Sequence, residues 1–305
     1  MSEPSAVPTA RDRIGATGVW LSSLATVSAA EGAAAARTIE RLGYGALWFG
    51  ETPVGKEAYT HAGLLLSATE RLVVATGIAN IWARDARATV NAAEALGEAY
   101  PERFLLGLGV SHAPLVNMRG HDYAKPLAAM TAYLDGMTEA GASYAGPKAD
   151  PPVPVVLAAL GPKMVELSRD RTAGAHPYLI TPEHTARTRA LLGPAPLLAP
   201  EHAVVLESDP ELAREVGRGF LKLYLTLPNY TRNLETLGFA QRDFADGGSD
   251  RLVDALVAWG DAETVVAKLG AHREAGADHV AIQPLAPTLE GQLEQLEELA
   301  PLLVP

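Results

Sequence analysis

Four short stretches of this chain combine residue types that do chemistry. In Val155–Val165, VVLAALGPKMV, an apolar run meets Gly161, then Pro162, then a helical pattern. Glycine admits close backbone approach and proline fits a first helical turn. The amides of Lys163 and Met164, at a positive helix end, can then hold a phosphate. The same residues serve equally as an ordinary strand-to-helix turn. In Thr76–Arg84, TGIANIWAR, a buried run breaks at Gly77 and delivers Ala79 and Asn80 to its end. Small residues there leave room for something flat, and the Asn80 amide can read a heterocycle edge, although Asn at such a place more often caps a loop. In LGLGVSHAP, Ser111 and His112 follow a strand-like run directly. A histidine there can move a proton near neutrality, although a lone histidine is more often a packing residue. In ALWFGET, Glu51 follows Trp48 and Phe49, and it either orients a ligand donor or caps a turn.

Other chemistries find no support. The spacing of a nucleotide-hydrolysing phosphate loop is missing. GLGVSH lacks the third glycine of a dinucleotide fingerprint, and Gly109-Val-Ser111-His-Ala113 lacks the second glycine of a nucleophile elbow. His176 and His184 are eight apart, and His272 and His279 seven, with no carboxylate at a zinc-ligand spacing, so no metal is expected. The chain has no cysteine, which removes disulfides, thiolate ligands and thiol nucleophiles.

What must position these stretches is a repeated element pattern. Eight short apolar runs begin at Gly18, Gly45, Leu72, Arg103, Val153, His176, His202 and Asp278, with amphipathic, Ala-rich segments between them. Strands buried on both faces read as continuous apolar runs, so the alternation predicts an α/β fold, a (β/α)8 barrel with function at the strands' C-terminal ends. Ser28 and Glu31 form a capping-box pattern before a helix stopped at Gly43, and Asp261 caps a helix ended by Gly276. Ser111–Tyr123, Ser143–Pro152 and Thr226–Ser249 are longer than connections require and are read as loops over the C-terminal face. Residues 1–13 read as a flexible tail and 14–305 as one domain.

With 305 residues, 48% of them hydrophobic and 20% charged, the chain can bury a large core. A net charge of −11 without a Lys/Arg cluster argues against nucleic-acid and anionic-membrane partners. No apolar stretch reaches the roughly 18 residues of a membrane span, and the first residues lack a signal peptide's apolar core, so a cytoplasmic protein is expected.

Together GVWLSS, GYGALWFGE, TGIANIWAR, RFLLGLGVSHAP, AALGPKM, GAHPYLITPEHT and GDAETVVAKL resemble the luciferase-like oxidoreductase superfamily, and within it the actinobacterial enzymes that use coenzyme F420. The resemblance runs from Gly18 to about Leu285. It implies a deazaflavin ring across the barrel mouth, beside a non-prolyl cis peptide between Gly77 and Ile78 and next to Ala79, Asn80 and Ser111. Ala159 and the Gly161, Pro162, Lys163 and Met164 loop would hold its phosphate arm, and Glu51 and His112 would be the catalytic pair. Asn117, Met118, Arg119, Tyr230 and Arg232 would contact a small-molecule substrate. In the sugar-phosphate dehydrogenase branch a His follows the second-strand acid and a Glu follows the fourth strand, whereas here Thr52 and His112 stand there, which argues against that branch's substrate. Arg84-Asp85-Ala86 also departs from a frequent Arg-His-Pro, a small change at a helix start. The implied reaction is hydride transfer between F420 and an organic substrate, with a protein acid or solvent completing the protonation. An FMN-dependent monooxygenase of the same fold is the alternative. A serine hydrolase built on Ser111 and His112 and a non-catalytic cofactor carrier are more remote, and a homodimer is compatible with all of them.

Overall fold

A computed structural model describes residues 13–304. Its strands are β1 (Thr17–Trp20), β2 (Ala46–Phe49), β3 (Val73–Thr76), β4 (Ala79–Asn80), β5 (Phe104–Gly109), β6 (Val155–Leu157), β7 (Gly174–Ala175), β8 (Leu197–Leu198), β9 (Glu201–Leu206), β10 (Val257–Gly260) and β11 (Val280–Pro284). Its helices are α1 (Ala29–Arg41), α2 (Ala58–Ser67), α3 (Ala86–Ala99), α4 (Ala113–Asn117), α5 (Pro126–Ser143), α6 (Pro162–Arg171), α7 (Pro182–Leu192), α8 (Pro210–Tyr224), α9 (Pro228–Thr236), α10 (Asp250–Leu256), α11 (Ala262–Glu274) and α12 (Leu289–Leu303).

All pairings are parallel, in the order β10-β9-β11-β1-β2-β3-β5-β6-β7-β8 with β4 on β5. The ring closes through a kinked strand. Leu197 and Leu198 pair with Gly174 and Ala175, and the chain continues through Pro200 into β9, which pairs with β11. Backbone bonds from Ala199 to Ala175, Glu201 to Pro177 and Ala281 to Pro200, each 2.9 Å, carry the ladder across the kink. Counting β8–β9 as one strand gives the eight-stranded barrel, with β10 as an extra strand outside it.

Alternation sorts the side chains. Trp20, Ala46, Trp48, Val73, Ala75, Leu105, Val156, Leu197, Ala199 and Ala281 fill the interior, while the opposite faces of the strands join the larger core beneath the helices. Local signals hold up: Ser28 and Glu31 form a reciprocal capping box, Asp261 caps α11 by accepting from Thr264 N, and Gly276 has φ +98°.

Four expectations change. The run from His176 is not a strand, because β7 is the preceding Gly174–Ala175 and the chain turns outward through Leu179 at φ 57°. Ser143–Pro152 joins a helix to the start of β6, so it lies at the strands' N-terminal ends, where Ala149 N donates to Glu94 at 2.7 Å. The other two long connections are partly helical, holding α4 in one and α9 in the other. Arg13, assigned to the tail, instead pairs with Glu102, and Ile14 is fully buried; the rest of the proposed tail, residues 1–12, lies outside the described residues. No helix among the described residues is long and apolar enough to cross a membrane.

Candidate active site

The site begins where β3 leaves its neighbour. The Thr76 hydroxyl donates to Gly107 O at 2.7 Å and accepts from Gly107 N at 2.9 Å, replacing the ladder that β3 gives up. A Cβ on Gly107 would sit 1.9 Å from Thr76 O, so only glycine permits this approach. The chain then bulges through a cis Gly77–Ile78 peptide and rejoins the sheet as β4, with Ala79 and Asn80 opposite Leu108 and Gly109. Three groups pin the bulge: Gly77 N donates to Phe49 O at 2.7 Å, Trp20 Nε1 to Gly77 O at 3.1 Å, and Glu51 N to Ile78 O at 3.2 Å.

Glu51 has a second hold on the same bulge. Its carboxylate accepts Asn80 N at 2.8 Å and both terminal nitrogens of Arg84, one of them at 3.1 Å. Arg84 also lies over the Tyr59 ring, 4.5 Å from its centroid. Each Glu51 oxygen is thus committed to a donor, which is the bonding of a buttress. Asn80 is 1% exposed; its Oδ1 accepts Trp82 N at 3.0 Å, while its Nδ2 has no partner among the described residues. A buried amide donor without an acceptor is an unfavourable arrangement that a ligand acceptor would relieve.

Ser111 leaves β5 with φ 56° and His112 opens α4 without capping it. The His112 side chain bonds Asn229, burial lowers its pKa, and its Nδ1 is buried without a partner. Its ring lies 5.4 Å from that of Tyr230. Because His112 engages Asn229, the geometry gives no support to a Ser111–His112 nucleophile pair.

At β6 the loop has the expected form. Gly161 is the N-cap of α6, Pro162 is its first residue, and Gly161, Pro162 and Lys163 are exposed. A Cβ on Gly161 would meet nothing within 4 Å. The Lys163 amide has no intrahelical acceptor, whereas Met164 N already donates to Gly161 O at 3.0 Å. Beneath the loop, buried His184 contacts Leu160 O through Nε2 at 2.8 Å; the carbonyl can only accept, so Nε2 carries the proton and Nδ1 accepts from Thr188. Ala159 packs outward with Val165, Ala175, Leu192 and Leu198, and it is Ala158 that lies towards Gly109.

The opposite wall carries groups the sequence did not single out. Tyr178 donates to Gln283 Oε1 at 2.8 Å and therefore accepts from Tyr224 at 3.0 Å, while Tyr230 contacts both rings. Trp20 joins this wall to the bulge, its ring 5.4 Å from Tyr178. Burial raises the phenol pKa of all three tyrosines, so they stay neutral donors. Glu201 lies behind them. His176 stacks under Trp48 at 4.2 Å and donates through Nδ1 to Ala199 O, and burial lowers its pKa to about 4. A cavity of about 300 Å³ borders the wall, lined by uncharged residues including Ser22, Phe220, Gln283 and Leu285. Of the loop side chains expected at substrate, Tyr230 is buried in this wall, Arg119 is half-buried, and Asn117, Met118 and Arg232 face solvent. Among the described residues no group of three metal-ligating side chains comes together.

A model of the luciferase-like monooxygenase family matches residues 12–279. A 5,10-methylenetetrahydromethanopterin reductase from Methanolobus tindarius is 27% identical over 154 residues, 46% of this chain and 47% of that protein; the chain therefore matches about half the relative's length. An F420-dependent secondary alcohol dehydrogenase in complex with an F420–acetone adduct superposes with a TM-score of 0.78 at 16% identity, covering 95% of this chain and 99% of the other. A coenzyme F420-dependent tetrahydromethanopterin reductase from Methanopyrus kandleri gives 0.73 at 15% identity, with 95% and 99% covered. The FMN-bound oxygenating constituent of 3,6-diketocamphane monooxygenase from Pseudomonas putida gives 0.71 at 15% identity, again with 95% and 99% covered. At these identities the structural likenesses establish the fold.

Proposed function

The chain belongs to the luciferase-like monooxygenase family, and from that premise we propose that it is an oxidoreductase using coenzyme F420 to move hydride to or from a small organic substrate. The observation that carries this reading is the pair of buried, unpartnered nitrogens, Asn80 Nδ2 on the bulge and His112 Nδ1 after β5. The open backbone at Gly161 supplies the matching anchor. The F420-dependent dehydrogenase and reductase that share this fold support the choice of deazaflavin.

In this reading Asn80 hydrogen-bonds the ring edge, and Gly77, Ile78 and Ala79 form a rigid backing held by Trp20, Phe49 and Glu51. The turn Gly161, Pro162, Lys163 and Met164 borders the phosphate arm, with the free Lys163 amide as its donor and His184 fixing the loop through Leu160. Ser111 and His112 border the ring, and His112 holds or moves a proton at Nδ1. Glu51 acts by keeping Asn80 in place. Bound there, the deazaflavin supplies a carbon that gives or takes hydride.

Titration with oxidised F420 and separately with FMN, read by fluorescence quenching, tests this. Binding of F420 alone, at about micromolar strength, is the expected result. Gly161→Ala should leave the melting temperature unchanged, since its Cβ enters open space, yet weaken F420 roughly tenfold or more by blocking the phosphate's approach. Preference for FMN would move the reading to a flavin monooxygenase, and binding of neither would overturn it.

A further inference from the structure

The outer face of α8 and the cavity beside it have no part in the reading above. α8 is seated by its other faces. Ala213, Gly217 and Leu221 are buried, a Cβ on Gly217 would lie 2.6 Å from Val253 of α10, and Arg214 and Arg218 donate to Asp254 and to Gly248 O at 2.7 and 3.0 Å. Leu212, Val216, Phe220 and Leu223, spaced four, four and three residues apart, form a separate apolar stripe. Leu212, Val216 and Leu223 are 51%, 40% and 66% exposed, so the helix's own packing does not account for them.

Val216 and Phe220, the middle of the stripe, line one side of the 300 Å³ cavity, and the turn from β11 into α12, Pro284 to Pro287, lines another. That turn is held without a ligand. Gln292 donates through Nε2 to Ala286 O at 3.3 Å and accepts the Ser23 hydroxyl at 2.6 Å, while Thr288 caps α12 by accepting Gly291 N at 3.1 Å. Because β11 pairs with β1, whose end leads to Ser22 in the lining, the cavity lies at the C-terminal ends of adjacent strands, on the rim of the mouth. Gln283 connects it to the bulge by direct contacts: Gln283 lines the cavity and accepts the Tyr178 hydroxyl, the Tyr178 ring lies against Trp20, and Trp20 Nε1 donates to Gly77 O.

With its Oε1 committed to Tyr178, Gln283 has the Nε2 hydrogens left to offer, together with the Ser22 hydroxyl, which makes no capping bond. The lining holds neither a cation nor a carboxylate. An apolar slot with an amide donor suits a hydrocarbon chain that carries a neutral oxygen, whereas a carboxylate or phosphate would lose its water there without a counter-charge.

We propose that this groove binds the apolar tail of an elongated, uncharged substrate, with Gln283 Nε2 donating to an ester or carbonyl oxygen on the tail and the α8 stripe receiving the tail as it enters. That the ligand is the substrate rests on the redox reading above; that the groove binds it does not. The reacting end of such a molecule passes Trp20 towards the bulge.

Isothermal titration of the cofactor-free protein with methyl alkanoates of four to ten carbons tests the groove. Affinity should rise about fourfold with each methylene until the cavity is full, and the matching alkanoate anions should bind at least tenfold more weakly. Val216→Trp, at an exposed helix position, should keep the melting temperature and abolish the dependence on length. Gln283→Met should weaken every ester about tenfold while keeping that dependence, which shows that the groove is still formed. Affinity indifferent to length, equal binding of acids and esters, or an unchanged series in Val216→Trp overturns the proposal, as does a Val216→Trp protein that binds the esters normally but loses a dimer in sedimentation. Single-turnover oxidation of F420H2 by methyl oxoalkanoates tests the link to the reaction: kcat/KM should follow chain length in wild type and not in Val216→Trp. Turnover indifferent to length overturns the substrate role. Length-dependent ester binding by a protein that fails to bind F420 overturns the redox reading and supports the groove as a ligand site.

Discussion

Glu201→Gln is expected to flatten the pH dependence of stability and to leave the protein more stable than wild type at pH 8. The folded carboxyl has its pKa raised from 4.5 to about 8. The folded state therefore binds more protons than the unfolded chain between those values, and wild-type stability falls as pH rises across that window. The contribution is fully present below the unfolded pKa and lost above the folded one. Linkage gives a slope of about 1.4 kcal/mol per pH unit there, and a total of roughly 3–5 kcal/mol. Gln replaces the carboxyl at equal volume and keeps an oxygen for Leu179 N, but adds a buried amide with its own unmet donors, at a penalty of about 1–3 kcal/mol. The variant should accordingly be no more stable than wild type at pH 4.5, and the two curves should cross as pH rises. Urea denaturation at pH 5, 6, 7 and 8 measures this. Parallel curves for the two proteins would show that Glu201 ionises normally in the folded state.

The barrel was legible because its strands are buried on both faces and its helices begin and end on strong local signals, as at Ser28, Asp261 and Gly276. The turn into α6 and the bulge were legible for the same reason: each is a local departure, Gly161-Pro162 and Gly77, from an apolar run. What escaped is long-range. The partner of Glu51 is Arg84, 33 residues on, which the sequence presents only as a helix start. The tyrosine wall draws Tyr178, Tyr224 and Tyr230 from a strand end and two helices, so no spacing rule connects them. Glu201 adjoins an apolar run read as beginning at His202, and the phase of β9 decides which of the two faces inward. The interior ladder through Leu197 and Ala199 settles that phase, and it depends on the kink at Pro200. The misplaced loop 143–152 did carry a usable signal, since a connection that follows a helix and precedes a strand must lie at the barrel's N-terminal end.

Arg84→Met is expected to destabilise the protein by about 3–5 kcal/mol, the usual effect of removing one partner from a buried ion pair. Both side chains are shielded, with 11% of Arg84 and 2% of Glu51 exposed. Loss of the guanidinium leaves the Glu51 carboxylate with Asn80 N as its remaining donor and no cation. The second partner of Arg84, Glu57, is 46% exposed and contributes little by comparison. The double variant Glu51→Gln/Arg84→Met should recover much of the loss, because the stranded charge is the main penalty; recovery of less than about 1 kcal/mol would place the effect in lost packing on Tyr59 instead. Function should not recover with stability. The amide oxygen introduced by Glu51→Gln can still accept Asn80 N, but without Arg84 to hold that side chain the oxygen is free to turn away. The Asn80 amide, whose Nδ2 is the donor left for a ligand, then loses the fixed position on which cofactor affinity depends. A double variant as stable as wild type that binds F420 at least tenfold more weakly would separate the two roles of the Glu51–Arg84 pair. Wild-type affinity in that variant would show that Trp20 and Phe49 suffice to hold the bulge.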